Sequence, residues 1–388
     1  MATARGSALA SRAEDREPWA ARRRRVLEAA AAVDCRAVLA YSPARFSLLE
    51  LDALWWSVGW RPQCESAAVI GPDDAVRCFV TCESDMAEAA DMIGDGVRLV
   101  DGELFAAVAA WVDRSGLYPG ELLFCGESRL SARRHDEMAR GLGESWRSGD
   151  RLLAELSRRR DELELELASR ATEIAEEGYR RFLDDLRSGM AEYEAVALLD
   201  GHLRELGSDD NFVLVSAGQQ NRSVHPPTDR TIERGDVLLA EVSPSCAGVF
   251  TQICRTVTIG PRRAEVQRDY EMLTEALRAG MRVCSPSTPV AEVVTAMNAV
   301  IAAAGFEDYC RPPYMRARGH GLGIGSVLPG DVTSSSDETL EEGDLLVLHP
   351  NQYLPTSGYL LCGEPIVVEQ AGPRLLSEGV AELQSVMC

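Results

Sequence analysis

The chain has 388 residues, 46% hydrophobic and 26% charged, the balance of a globular protein long enough for two hydrophobic cores. Acidic residues outnumber basic ones 61 to 40, a formal net charge of -21, so a phosphate backbone or an anionic membrane surface would repel it, and neither nucleic acid nor membrane is expected as a partner. No apolar run approaches the roughly 18 residues of a spanning helix, and the cysteines, eleven in number and without a CxxC pair, read as mostly buried thiols of a cytoplasmic protein.

Residues 1–15 lack the apolar stretch of a secretion signal and read as a disordered tail. An alanine- and arginine-rich helix is predicted over 16–33, then a short buried strand in CRAVLAY (35–41). Residues 66–72 and 76–81 read as a hairpin that turns at Pro72, Asp73 and Asp74. A helix over 104–115 and a strand in ELLFCG (121–126) complete an α/β N-terminal domain, 16–150, which holds all six tryptophans. The composition shifts there, and a second domain spans 151–388. A helical stretch runs from about 149 to 206, interrupted near Gly189, and its EL-rich section (160–168) reads as a solvated linking helix. Strands follow in FVLVSAG, DVLLAEVSP and FTQICRTVTIG, then a helical block over 263–304, then strands in DLLVLHP and EPIVVE.

An internal repeat carries more information than any single element. Tyr179, Leu186, Arg187, Gly189 and Met190 recur 91 positions later as Tyr270, Leu277, Arg278, Gly280 and Met281. IERGDVLLAE (232–241) matches LEEGDLLVLH (340–349) at a shift of 108. Each GD pair is a turn that launches an apolar strand. The second domain is therefore α+β, two helix-then-sheet halves related by a pseudo-twofold. Glu241 and His349 hold equivalent places, each five residues after its GD aspartate. A polar side chain at the end of an apolar strand is costly unless it is paired or bound to something, so the two are expected to converge on a site.

On these residues the C-terminal half resembles the pita-bread domain of the creatinase, aminopeptidase P and methionine aminopeptidase superfamily, the M24-type fold. The carriers are SVHPPTDRTIERGDVLLAE, AGVFTQICRTVTIG, the RGHGLGIG loop (318–325) and GDLLVLHP, over about residues 150–370. WSVGWRP (56–62) is similar to a loop that creatinase inserts into its partner subunit. The metallopeptidases of this superfamily hold two metal ions with five side chains. By the resemblance, those positions are Glu241, Gln252, His320, His349, and Cys362 or Gly363 with Glu364 beside it. A further peptidase histidine is Val327 here, and the outer histidine before the GD strand is His225. Gln252 cannot supply bridging charge, so ordinary dinuclear peptidase chemistry on Xaa-Pro substrates is the least favoured reading.

Three readings stay open. The resemblance to creatinase implies a metal-free hydrolase or lyase of a C–N bond in a small amino-acid-like or short-peptide substrate. His225 would then be general acid and base, and Arg61 would reach the other protomer of a homodimer to grip a substrate carboxylate. Trp60, Gln252, Tyr359 and Glu364 are assigned to substrate binding, and His320 and His349 with Glu241 to the catalytic floor. The second reading is a mononuclear site for iron, zinc or manganese on Glu241, His320 and His349. The third is a binding or scaffold protein of the same fold.

Overall fold

Helix α1 (Glu17–Ala32) opens the described part of the chain. The computed structural model describes residues 17–43, 53–324, 328–380 and 382–387, and the chain divides into two units, 1–157 and 158–388.

In the N-terminal unit α1 is followed by β1 (Ala37–Ser42), α2 (Ala53–Val58), β2 (Ser66–Ile70), β3 (Val76–Val80), α3 (Glu83–Ile93), β4 (Val97–Leu99) and α4 (Leu104–Arg114). Then come β5 (Leu122–Cys125), α5 (Ala132–Leu142), β6 (Arg147–Ser148) and α6 (Asp150–Arg158). The six strands form one mixed sheet in the order β4-β3-β2-β1-β5-β6. β2 and β3 are the expected antiparallel hairpin, with Ser66 opposite Val80 and Ile70 opposite Val76. β1 is buried along its whole length, which is why its sequence is apolar rather than alternating. Leu104, Phe105, Val108 and Val112 turn one face of α4 onto this sheet.

The second unit contains α7 (Glu162–Asp185), α8 (Glu192–Glu205), β7 (Asp210–Gly218), β8 (Val237–Cys246), β9 (Val249–Phe250) and β10 (Ile253–Ile259). Helices α9 (Ala264–Val283) and α10 (Val290–Ile301) follow. The remaining strands are β11 (Gly319–Gly321), β12 (Leu345–Leu348), β13 (Gln352–Leu354), β14 (Gly358–Leu360), β15 (Glu364–Val367), β16 (Arg374–Leu375) and β17 (Gln384–Val386). One half-sheet runs β17-β10-β8-β7, with β9 on β8, and the other runs β11-β12-β15-β16. α7 and α8 pack on the first through Ile174, Phe182, Leu199 and Leu238. α9 and α10 pack on the second through Leu273, Leu277, Val294 and Leu346. The stretch Val290–Tyr309 is long and apolar enough on average to cross a membrane. Val290, Val293, Val294, Met297 and Ile301 bury one side of it in this core, as in a core helix.

The pseudo-symmetry extends to individual hydrogen bonds. Asp236 Oδ2 accepts from the Glu233 amide at 2.9 Å, and Asp344 Oδ2 from the Glu341 amide at 2.8 Å. Gly235 and Gly343 precede them at φ +95° and +88°, a left-handed conformation that side chains disfavour. Each aspartate also holds a guanidinium: Arg230 for Asp236, Arg158 for Asp344. The LRSGM and LRAGM segments, by contrast, are not structural equivalents. Gly189 lies in the turn after α7, whereas Gly280 is inside α9 against Met297. The Gly189 amide bonds Ile232 O, as the Ser287 amide bonds Leu340 O, and Ser287 shares the positive φ. The helices before the two turns differ in length, 24 residues in α7 and 20 in α9, and LRSGM falls after the first helix but LRAGM inside the second.

The EL-rich stretch is not a solvated linker. It opens α7 with Glu164, Leu167 and Ala168 buried, and Arg160 and Glu164 form an ion pair with no side-chain exposure. A charged pair four residues apart can sit inside as well as outside, and composition alone does not separate the two cases.

The two GD turns make a paired test. The Asp344 and Arg158 side chains are at most 5% exposed, whereas Arg230 is 38% exposed. Asp344→Ala should therefore lower the unfolding free energy by about 3–5 kcal/mol, the loss typical of breaking a buried pair. Asp236→Ala should lower it by about 1–2 kcal/mol, an exposed pair plus one turn hydrogen bond. Urea denaturation of both variants decides, and equal losses would contradict the burial argument.

Candidate functional site

Strand β8 places Glu241 opposite Leu214 on β7 and opposite Cys254 on β10. Gln252, two residues before Cys254, closes the pair: its Nε2 donates to Glu241 Oε1 at 3.1 Å and to Cys254 Sγ at 3.4 Å. The Ser243 hydroxyl donates to Gln252 Oε1 at 3.3 Å, which fixes the amide with its N–H groups toward the carboxylate. Burial pushes the Glu241 carboxyl up to about 7, and the Gln252 hydrogen bond only partly offsets this. Glu241 thus exchanges its proton near neutrality.

His320 sits at the middle of β11 and His349 just beyond the end of β12, two strands paired with Gly319 opposite Leu348. The rings meet edge to face at 5.6 Å between centroids. His320 donates Nδ1–H to Gly321 O at 2.9 Å, which leaves a lone pair on Nε2. Burial lowers its pKa. His349 is driven down to about 3 by burial and then by its neighbour His320. Both imidazoles are therefore neutral. The Nδ1 of His349 is buried and has no hydrogen-bond partner among the described residues. Behind it, the fully buried Arg318 guanidinium donates to three neutral oxygens, Asn298 Oδ1, Asn351 O and Gln352 Oε1. Burial pulls Arg318 down to about 10, and its charge helps keep His349 neutral.

The last strand resolves the Cys362/Gly363 alternative. Gly363 faces the site, because a Cβ there would lie 2.7 Å from His349 Cβ and 3.1 Å from Cys254 Cβ. Its backbone bridges to Cys254 through two N–H···O bonds of 3.1 Å. Cys362 packs into the core behind. Glu364, assigned above to substrate binding, is instead fully buried and held by Arg255, with contacts of 2.9 Å from Nη1 to Oε1 and from Nη2 to Oε2. Strand alternation sends it away from the site, and its charge is already answered.

The other sequence-assigned residues fall into two groups. Tyr359, on β14, stands beside Cys254 and Glu241, and burial followed by those two acids pushes its phenol up to about 12. It joins the cluster of Glu241, Gln252, His320 and His349. His225 does not: it is half-buried on the loop after β7 and donates Nδ1–H to Pro226 O at 2.8 Å. Among the described residues no hydrogen bond, ion pair or ring contact joins it to that cluster. In the N-terminal unit Trp60 is buried, 1% exposed, and Arg61 is half-buried in the segment after α2. Val327 lies outside the described residues. Asn351 was missed by sequence reasoning. Its Oδ1 accepts from the Cys362 amide at 3.0 Å and its Nδ2 approaches Cys254 Sγ at 3.8 Å, tying the His349 turn to the last strand. Its place two residues after His349 was the only signal.

The donor set does not fit a dinuclear metal centre. Of the five ligand positions only Glu241 carries a carboxylate, and Gln252 and Gly363 carry no negative charge. Two dications about 3.5–4 Å apart need bridging carboxylates against their mutual repulsion. Nor do Glu241, His320 and His349 bring three donor atoms together: among the described residues the one such group within 4.8 Å is Cys64, Cys82 and Asp85.

Residues 166–374, more than half of the chain, match the family described as metallopeptidase family M24. An uncharacterized peptidase of Bacillus subtilis, YqhT, is 25% identical over 223 residues, 57% of this chain and 62% of that protein. A Xaa-Pro dipeptidase of Pyrococcus furiosus is 23% identical over 224 residues, 57% of this chain and 63% of the relative. The matched stretch thus spans under two thirds of either relative. An X-Pro aminopeptidase structure from Thermotoga maritima superposes with a TM-score of 0.84 at 19% identity, covering 94% of this chain and 99% of that one. The prolidase structure from Pyrococcus horikoshii gives 0.80 at 18% identity, covering 94% and 99%. The likeness shows the fold, a pita-bread domain preceded by an α/β domain.

The raised carboxyl of Glu241 has a consequence for stability. Its folded pKa of about 7 lies above the ordinary 4.5, so the folded state binds the proton more tightly than the unfolded one. Its contribution is complete below about 4.5 and is lost as the pH rises through about 7. Melting temperature should therefore fall over that range relative to Glu241→Gln, which removes the titration. Parallel curves for the two proteins would show that Glu241 titrates normally.

Proposed function

The chain belongs to metallopeptidase family M24, and on that premise we propose that it hydrolyses a C–N bond in a short peptide or small amino-acid-like carboxylate by proton transfer through Glu241, without a dinuclear metal pair. The observation that carries this reading is the charge of the site. One carboxylate, poised near pH 7 and bonded to a fixed amide, shares the corner around Cys254 and Gly363 with two neutral imidazoles, where a metal pair would need several carboxylates. In its charged form Glu241 takes a proton from the attacking water while the hydroxide adds to the substrate carbon. The same carboxyl then returns the proton to the leaving nitrogen as the C–N bond breaks. A group whose pKa lies near the working pH serves both halves. The Nε2 lone pair of His320 is free to orient the water. Tyr359 and Gln252 line the pocket and hold the substrate.

Glu241 is better placed for this role than His225, which no hydrogen bond, ion pair or ring contact joins to the cluster among the described residues. Glu241→Gln should lower kcat by about 100-fold or more, and wild-type kcat should rise with pH through about 7. His225→Ala should leave kcat within about threefold, a loss well below that of a general base. The reverse pattern would hand the proton to His225. The substrate panel is Xaa-Pro dipeptides and small N-substituted amino acids, each assayed with and without chelator. Turnover that survives chelation supports the reading, and turnover that needs two manganese or cobalt ions per protomer overturns it. A second reading is a single divalent ion on Glu241, His320 and His349, which would have to draw together because their donor atoms do not lie within 4.8 Å of one another; it is favoured by the buried Nδ1 of His349, which has no hydrogen-bond partner among the described residues. Elemental mass spectrometry on protein purified without chelator or affinity metal tests it, since one iron, zinc or manganese ion per protomer that disappears in His349→Ala would establish that site.

Arg61 belongs to this proposal as the group that grips a substrate carboxylate in the pocket of a second copy, making the active form a homodimer. Arg61→Ala should raise KM by about tenfold or more, the loss of a charge-assisted fork, with kcat little changed. Mixing Arg61→Ala with Glu241→Gln protein should restore activity in hybrid dimers, and no restoration would place Arg61 outside its partner's site.

A further inference from the structure

The N-terminal unit contains a pair of thiols that the proposed chemistry does not use. β2 and β3 pair with Ser66 opposite Val80, and the ladder continues one step, with the Thr81 amide donating to Glu65 O at 3.3 Å. One step further Cys64 stands opposite Cys82. Because Glu65 and Thr81 form the hydrogen-bonded pair, Cys64 and Cys82 occupy the next, non-hydrogen-bonded pair. In such a pair the Cα atoms are about 4.5 Å apart, within the span a disulfide bridges, about 4.4–6.8 Å. The side chains bear this out: both Sγ atoms and a carboxylate oxygen of Asp85 lie within 4.8 Å of one another.

We propose that Cys64 and Cys82 are a site of oxidative modification, a thiol pair that peroxide converts to a cross-strand disulfide at the open end of the β2–β3 hairpin. Cys82 is the attacking thiolate. It is the N-cap of α3, in extended conformation, at the end of a helix where backbone N–H groups favour negative charge. Its sulfur lies 2.9 Å from Ser84 Oγ, and hydrogen bonds from Ser84 and then from Cys64 lower its pKa, against opposing effects of desolvation and then of Asp85. Cys64 is the resolving thiol. Both are partly exposed, whereas Cys35, Cys78, Cys125, Cys254, Cys284 and Cys362 are buried, and burial raises the thiol pKa of each. The chemistry balances: the Cys82 thiolate attacks one peroxide oxygen, the O–O bond breaks, and hydroxide leaves and is protonated. The Cys64 sulfur then displaces the hydroxyl of the Cys82 sulfenic acid, the S–S bond forms, and a second water carries away the Cys64 proton. Two thiols and one peroxide give one disulfide and two waters. A metal is the poorer occupant. Both oxygens of Asp85 already accept backbone N–H groups, from Gln63 at 3.1 Å and Cys64 at 3.0 Å, and the cluster has three donors where a structural zinc takes four.

The test uses the full chain, treated with hydrogen peroxide, alkylated, and mapped by non-reduced peptide mass spectrometry. The expected result is a Cys64–Cys82 cross-link that dithiothreitol reverses, with the six buried cysteines alkylated only after unfolding. In Cys64→Ser the reaction should stop at a Cys82 sulfenic acid trapped by dimedone, and in Cys82→Ser neither adduct nor cross-link should form. If a variant does not fold, the wild-type map still decides. Three results would overturn the proposal: both thiols still alkylated after peroxide, sulfinic acid at Cys82 without a cross-link, or one zinc ion per protomer that protects the pair and is absent from the double serine variant.

Discussion

Arg255 and Glu364 tie the two half-sheets of the C-terminal unit together, and the site takes its shape from that tie. Arg255 lies on β10 in one half-sheet, Glu364 on β15 in the other, and both are buried with two charge-assisted contacts of 2.9 Å. A pair of this kind contributes little to stability as a whole, but losing one partner strands a charge in the interior. It therefore acts on register. Sliding β15 by one residue would point Glu364 at the site and leave Arg255 unanswered. With the pair in place, the preceding residues, Cys254 and Gly363, meet backbone to backbone and face the site, and His349 packs into the space above Gly363.

The electrostatics follow from that geometry. The site is a half-buried corner where two half-sheets converge, and desolvation pushes Glu241, His320, His349 and Tyr359 toward their neutral forms. Glu241 rises to about 7, Tyr359 to about 12, and His349 falls to about 3. Arg318, a buried cation whose hydrogen-bond partners are neutral oxygens, reinforces the neutrality of His349. Glu241, raised to about 7, keeps an aimed contact with Gln252, because Ser243 holds the other end of the amide.

Much of this was legible in the sequence where the signal is local. The GD turns announce themselves, since a left-handed glycine and a capping aspartate before an apolar run have few other meanings. The equivalence of Glu241 and His349 follows from those turns. Three features were not legible, each for a physical reason. Whether Cys362, Gly363 or Glu364 faces the site depends on strand phase, and a one-residue error inverts it. The Arg160–Glu164 pair looks the same on paper whether it is inside or outside. The LRSGM and LRAGM match set the turn after α7 against the inside of α9, so identical letters took unequal places. The Cys64–Cys82 pairing was derivable from the hairpin register alone, but thiols brought together by a ladder share no short spacing to catch the eye.

The altered ligand positions are coherent as a set. In a centre holding two dications, each carboxylate is stabilised by the metal charge, and burial costs it little. Take the dications away and every remaining carboxylate becomes an uncompensated buried charge, raised in pKa and crowded by its neighbours. A site with several such groups would either load with protons or unfold the strand ends that carry it. Here position 252 is an amide that donates to the one carboxylate, position 349 a neutral imidazole, and position 363 has no side chain. A Cβ at 363 would lie 2.7 Å from His349 Cβ and 3.0 Å from Leu348 O, so a glutamate there would have to displace the His349 segment, and the two positions constrain one another. The scaffold is that of its family, while the charge at these positions does not suit a pair of metal ions.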